Sequence, residues 1–216
     1  MPSHAVARRR ILEVVETVLL TLVIFVGLQA FVAQPYQVQQ VSMETTFLPD
    51  QYVLVDKLSP HWSPYARGDI IVFNPPPAAT EATATPFIKR VIGLPGDTVE
   101  LKGGLVYVNG AKLDEPYIYK DAGVPQLTDP EGRQSTWLVP AGDLFVMGDH
   151  RAESMDSRAF GPVAISSVIG RAWLRYWPFD TFGVLPTPKH PELDGAPAAG
   201  PGTSASPAPA LATAAP

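Results

Sequence analysis

The chain has 216 residues, enough for one catalytic-sized globular domain with appendages and too few for two large domains with separate cores. Its 16 Lys and Arg against 21 Asp and Glu leave a net charge of −5, and Arg8-Arg9-Arg10 is the longest basic run, so the electrostatic footprint of a nucleic-acid partner is missing. Cysteine is absent, which removes disulfides, thiolate metal sites and cysteine nucleophiles.

The first element in chain order is an apolar run over residues 11–33, broken only by Glu13, Glu16 and a few neutral polar residues. As a helix it is about 35 Å long, the thickness of a bilayer. Arg8, Arg9 and Arg10 precede it and no Lys or Arg follows until Lys57. The positive-inside tendency therefore puts residues 1–10 in the cytoplasm and the rest of the chain outside, as a single-pass protein of the cell membrane. A cleaved signal peptide shares the basic flank, but the run is long for one, and Phe31-Val32-Ala33-Gln34 is a poor small-residue cleavage site.

Residues 34–185 read as one mainly β, antiparallel domain. Strands are expected at Tyr52–Asp56, Asp69–Phe73, Phe87–Ile92, Thr98–Leu101, Leu105–Val108, Leu144–Met147 and Val168–Trp177, each a β-branched or aromatic run bounded by Gly, Pro or Asp. Asn109-Gly110 predicts a type I′ hairpin turn, since both residues tolerate positive φ. Residues 74–86 and 114–136 read as excursions with little regular structure. From residue 186 to 216 the chain is dominated by Pro, Ala, Gly and Ser, a composition that predicts a disordered tail.

Two residues stand out for chemistry once they are considered together. Ser42 lies nine residues beyond Ala33, so even an extended chain keeps it within about 30 Å of the membrane exit. A serine hydroxyl needs a base. Of His4, His61, His150 and His190, only His150, beside Asp149, suits a triad, and a polar loop is the plainer account of it. Lys89 is the better candidate for the base, although on the residues alone a lone lysine in a strand reads as a surface residue. In an extended strand it shares a face with Phe87 and Val91, apolar neighbours that desolvate the ammonium and lower its pKa. Pairing of Ser with Lys is an established alternative to the histidine triad. Spacing also puts Asp156 and Arg158 on one face of an extended segment, within reach of an ion pair. Gly93-Leu-Pro-Gly-Asp97 reads as a turn and not as a phosphate loop, and no metal-ligand spacing occurs, so no cofactor is expected.

Four segments between Gln39 and Val163 resemble, in order and wording, the boxes of bacterial type I signal peptidases. They are Val41-Ser-Met-Glu-Thr-Thr-Phe47 (against the family's Ser-Met-Xaa-Pro-Thr-Leu), Arg67-Gly-Asp-Ile-Ile-Val-Phe73, Phe87-Ile-Lys-Arg-Val-Ile-Gly-Leu-Pro-Gly-Asp97, and Gly148-Asp-His-Arg-Ala-Glu-Ser-Met-Asp-Ser-Arg-Ala-Phe-Gly-Pro162. The resemblance implies a membrane-bound serine endopeptidase that removes signal peptides from exported preproteins, with Ser42 as nucleophile and Lys89 as general base. It implies that Ser154 hydrogen-bonds near the base and that Asp156 and Arg158 pair to shape the site. It also implies a groove that takes small side chains, typically Ala, at the first and third positions before the cut, and an apolar surface that meets the bilayer, for which Trp62 and Tyr65 are available.

Three departures stand out. Many members carry a serine two positions before the nucleophile as an oxyanion donor, where this chain has Gln40. Thr45 replaces a proline, and His150 an asparagine. Gln40 motivates the alternative of an anchored β-domain that binds exported chains without efficient catalysis. A third reading, a Ser-Lys self-cleaving protein, lacks a DNA-binding region before the apolar run.

Overall fold

The computed structural model describes residues 4–31, 33–79 and 85–194, with side chains for all of these except 4–7, 28–31 and 61. The first described element is helix α1 (His4–Phe31). Thr17 and Thr21 satisfy their hydroxyls within it, donating to the carbonyls of Glu13 and Thr17 at 2.8 Å each. Apart from Glu13, Glu16, Thr17 and Thr21, its side chains from Ile11 to Val26 are apolar, and they are exposed. Among the described residues no helix is long and apolar enough to cross a membrane. The expected span over 11–33 runs on through residues 28–32, which lie outside the described side chains.

Strands then follow in order: β1 (Ala33–Gln37), β2 (Tyr52–Asp56), β3 (Ile70–Phe73), β4 (Phe87–Gly93), β5 (Thr98–Lys102), β6 (Leu105–Val108), β7 (Ala111–Lys112), β8 (Lys120–Asp121), β9 (Val124–Pro125), β10 (Thr136–Leu138), β11 (Asp143–Met147), β12 (Val163–Ala164), β13 (Val168–Trp177) and β14 (Gly183–Val184). One short helix, α2 (Ser157–Phe160), precedes β12. The expected mainly β, antiparallel domain is what the chain forms. The main sheet has the order β1-β2-β13-β3-β4-β11-β12, with β14 added to β13, and a second sheet has the order β10-β5-β6-β7.

Long β13 pairs with β2 along one edge and β3 along the other, and its register shifts at three places. Such bulges bend a strand and increase its twist. Gly170 lies on this strand, and a Cβ there would collide with the carbonyl of Asp56, so only glycine lets β2 and β13 close at that point.

Three apolar cores result. One, around Met43, Phe47, Val53 and Val72, lies against the face of the main sheet that carries Ile88. A second, around Phe73, Phe87, Val91 and Leu144, covers the opposite face. The third, around Ile92, Val99, Trp137 and Phe145, joins the two sheets. Strand β4 borders all three cores, so both of its faces are buried.

The Asn109-Gly110 turn forms as expected, with φ of 52° and 81° between paired Val108 and Ala111. Asn109 adds a tie, its amide donating to Asp97 at 2.7 Å.

The boundary of the tail is corrected. Residues 186–194 pack on the domain: Thr187 donates to Asp69 at 3.0 Å, Pro188 lies against Gly68, and Leu193 reaches the third core. Gly68, at φ +87°, has no Cβ to block Pro188. The remainder of the expected tail, 195–216, lies outside the described residues.

Candidate active site

Ser42 sits in a 3-10 turn, Val41–Met43, fixed by its neighbours. Met43 and Phe47 are buried in the first core at 0% and 1% exposure, and the amide of Phe47 donates to the carbonyl of Met43 at 2.8 Å. These apolar anchors carry Ser42 inward. Thr45 follows at φ +94°, a conformation that a β-branched residue rarely adopts and that the family's proline could not.

Lys89 lies in β4 opposite Ile71 of β3 and is 1% exposed. Its Nζ sits 5.4 Å from the centroid of the Phe87 ring, which confirms the shared face read from the alternation. Ser42 and Lys89 meet: Nζ is 2.5 Å from Oγ, across 47 residues of sequence. Burial pushes the Lys89 pKa down to about 8, against the opposing pull of the Asp156 and Asp149 carboxylates. An amine so placed keeps a minor but useful neutral fraction near physiological pH, far more than an ordinary lysine, and in that form can accept a hydroxyl proton.

Asp156 and Arg158 pair as expected, but not along an extended segment. Asp156 is the N-cap of α2 and accepts the backbone N–H of Arg158 at 3.2 Å, so the helix turn brings the two side chains together. Arg158 then grips both oxygens, Nε to Oδ1 at 2.8 Å and Nη2 to Oδ2 at 2.9 Å. Ser154 donates to Asp156 at 2.7 Å, and the amide of Gly148 donates to the same oxygen at 3.0 Å. Asp156 thus gathers the fourth box around one buried carboxylate. Gly148 allows the close approach, because a Cβ there would strike both Ser154 Oγ and the carbonyl of Ser42.

Gln40 is extended, at φ −114° and ψ 154°, and exposed, and its side chain makes no capping bond to the turn that carries Ser42. It borders a cavity of about 30 Å³ lined by Tyr36, Val38, Val53, Val72 and Ile88 among others. His150 turns elsewhere: its Nδ1 is 2.9 Å from Glu44, and its ring stacks on Tyr119 with centroids 4.0 Å apart. Asp149, read as a triad companion of His150, is held by Arg90 instead.

Sequence reasoning missed Arg90 and Thr46, and with them the true partners of Asp149. Arg90 donates to both oxygens of Asp149 and to Thr46, and Thr46 donates to Asp149 at 2.6 Å. The alternation that put Lys89 among apolar neighbours leaves Arg90 on the other face, which is also buried, at 2% exposure. Glu131, from the 114–136 excursion, was missed as well; it pairs with Arg158 at 3.1 Å. Among the described residues no cluster of His, Asp and Glu is arranged to hold a metal.

The profile of the family described as signal peptidase, peptidase S26, matches residues 11–177. A signal peptidase I from Leptolyngbya laminosa is 38% identical over 189 residues, covering 86% of this chain and 89% of that protein. One from Bacillus caldolyticus is 40% identical over 164 residues, covering 72% and 85%. A solved signal peptidase I from Enterococcus faecalis is 35% identical and covers 50% of this chain and 95% of that one, with a TM-score of 0.36. With a family match across most of its length and relatives of this identity, the chain belongs to the signal peptidase family, peptidase S26, alongside the bacterial type I enzymes.

Proposed function

We propose that this chain is a membrane-anchored endopeptidase that cleaves signal peptides from exported preproteins, with Ser42 as nucleophile and Lys89 as general base. The observation that carries the reading is the buried 2.5 Å contact between Lys89 Nζ and Ser42 Oγ. Neutral Lys89 takes the Ser42 proton as Oγ adds to the scissile carbonyl. The tetrahedral intermediate collapses when the Lys89 ammonium returns that proton to the departing amine, leaving an ester on Ser42. Lys89, neutral again, then deprotonates water, which attacks the ester; the same proton restores the Ser42 hydroxyl and frees the carboxylate product.

The apolar cavity beside Gln40, lined by Val38, Val53, Val72 and Ile88 among others, is the proposed seat of a small side chain before the cut. Gln40 borders both that cavity and the turn of Ser42 and is the proposed second oxyanion donor, with the Ser42 backbone N–H as the first. Ser154, Asp156 and Arg158 shape the site by fixing the fourth box.

Anchoring through residues 11–33, N-terminus cytoplasmic, is supported by the surface of α1, since from Val18 to Val26 its side chains are exposed and, Thr21 excepted, apolar, a surface that needs a partner protein or a bilayer. Trp62 is 71% exposed, in keeping with an interfacial aromatic, whereas Tyr65 is half-buried under Arg171. A larger apolar patch lies around β13 and β14, where Trp173, Trp177, Phe179, Phe182 and Val184 are exposed. Aromatic rings of this kind favour the headgroup layer.

The test incubates the full chain in detergent micelles with a preprotein and maps the cut. Wild type is expected to release the mature protein after an Ala, Ser42→Ala and Lys89→Ala to be inactive, and Gln40→Ala to lose about 100-fold or more in kcat. Retained cleavage by Lys89→Ala would end the dyad. No cleavage by the wild type would favour the alternative of a domain that binds exported chains without cutting them.

A further inference from the structure

The turn that carries Ser42 is held from outside by the start of the fourth box, at three alternate positions. The amide of His150 donates to the carbonyl of Ser42 at 3.1 Å. The His150 ring reaches Glu44 at 2.9 Å. Asp149 accepts from Thr46 at 2.6 Å. Between these ties lies Thr45 at φ +94°, a backbone conformation that persists only where surrounding contacts impose it.

The His150 ring is itself fixed. It stacks on Tyr119 at an interplanar angle of 13°, and the amide of Tyr119 donates to the carbonyl of Asp149 at 3.0 Å. The imidazole is thus clamped flat with one nitrogen on the Glu44 carboxylate, and its side chain is 12% exposed. The proposed chemistry uses no histidine, so this arrangement has no place in the proton transfers.

We infer that His150 is a positioning residue for the reaction proposed above, holding Ser42 in line with Lys89 by pinning Glu44 with its ring and the Ser42 carbonyl with its own peptide N–H. The inference rests on Ser42 being the nucleophile. Its consequence is on the acylation rate and not on substrate affinity, because neither Glu44 nor His150 lines the cavity beside Gln40. A nucleophile displaced by a fraction of an ångström loses its attack geometry while the groove stays intact.

The experiment measures kcat and KM for the full chain in micelles with a preprotein, together with thermal unfolding, for His150→Ala, His150→Asn, His150→Gln, Glu44→Ala and the double alanine variant. His150→Ala is expected to lose about 10- to 100-fold in kcat with KM changed less than about twofold. His150→Asn, whose amide nitrogen falls where Nδ1 was, restores most of the loss, and His150→Gln, whose amide reaches the Nε2 position, does not. Glu44→Ala loses as much as His150→Ala, and the double variant loses no more than either. Wild-type kcat in His150→Ala, a loss confined to KM, additive losses in the double variant, or equal defects in the Asn and Ala variants would each overturn the inference. Should His150→Ala fail to fold, Glu44→Ala decides, since Glu44 is a 29% exposed side chain; an unchanged kcat there is sufficient to reject the tie. Ser42→Ala keeps the two ideas apart: if it still cleaves, the nucleophile is wrong, and if it is dead while His150→Ala is normal, only the tie is wrong.

Discussion

Arg90 holds Asp149 through two parallel hydrogen bonds, Nε to Oδ1 at 2.8 Å and Nη2 to Oδ2 at 2.7 Å, from the residue next to Lys89 on β4. Both partners are buried, at 2% and 0% exposure. The bidentate fork fixes the carboxylate in plane, and Arg90 Nη1 adds a bond to the carbonyl of Gly68 at 2.9 Å. One strand therefore presents the proposed base on one face and, on the other, the cation that anchors the turn of Ser42 through Asp149 and Thr46.

Breaking this pair leaves a buried charge without a partner. Arg90→Ala and Asp149→Ala are each expected to destabilise the domain by about 3–5 kcal/mol, far more than loss of an exposed pair such as Arg9 with Glu13. Urea denaturation of the two variants, beside Arg9→Ala as a surface control, measures the difference. A change under about 1 kcal/mol in Asp149→Ala would show that the network does not anchor the turn.

Burial of Lys89 has a stability signature with a definite sign. The folded pKa is about 8 and the reference value is 10.5, so between these limits the unfolded chain binds more protons than the folded one. Folding stability therefore rises with pH across that window, and the cost of burying the ammonium is full below about pH 8. Lys89→Met, which keeps the stem and removes the charge, is expected to be more stable than wild type at pH 7 by roughly 3 kcal/mol. The gain should shrink to nothing by about pH 10.5 as the wild-type amine becomes neutral in both states. Denaturation midpoints at pH 7, 9 and 10.5 test this; a gain that does not depend on pH would point to packing instead.

Much of the framework was legible because it is written locally. Asn109-Gly110 encodes its turn in two residues, and β2, β6 and β13 were found at the bounds where they occur. Strand β1 was not, since Ala33-Gln-Pro-Tyr-Gln37 has neither alternation nor β-branched residues and is ordered by pairing with β2 at the sheet edge, where Pro35 is tolerated. The strap over 186–194 was hidden by composition, because Pro188 and Leu193 find their partners at Gly68 and in the third core, far away in sequence. The site divides in the same way. The meeting of Ser42 with Lys89 was anticipated from box order, but Arg90 with Asp149 spans 59 residues and His150 with Glu44 spans 106. A single arginine or histidine in a string carries no sign of which carboxylate will face it.

Gly148 is predicted to matter more for activity than for stability. A methyl group there meets the hydroxyl of Ser154 and the carbonyl of Ser42, and the Gly148 peptide also donates to Asp156 and accepts from Arg151 Nε at 2.9 Å. Gly148→Ala must therefore push the Ser42 turn away from the fourth box, at a cost of about 1–3 kcal/mol for an overpacked contact. The expected result is a folded protein with kcat reduced by about 100-fold. Circular dichroism melting and steady-state cleavage on the same sample give both readings, and a variant that melts early but cleaves normally would contradict the close approach.

Glu131 offers a test of how the base is tuned. Its carboxylate pairs with Arg158 at 3.1 Å, and its negative charge favours the protonated form of Lys89, as do those of Asp156 and Asp149. Burial raises the pKa of Glu131 itself, against the pull of Arg158. In wild type kcat/KM should rise through about pH 8 and level off above it, because only the neutral amine accepts the Ser42 proton. Glu131→Gln removes one charge that holds the proton on Lys89, so the rising limb should move to lower pH. A purely structural role for Glu131 would lower the plateau and leave the limb where it was. Rate profiles from pH 6 to 10 for wild type and Glu131→Gln separate the two, and a limb shifted to higher pH would reverse the sign of the electrostatic argument.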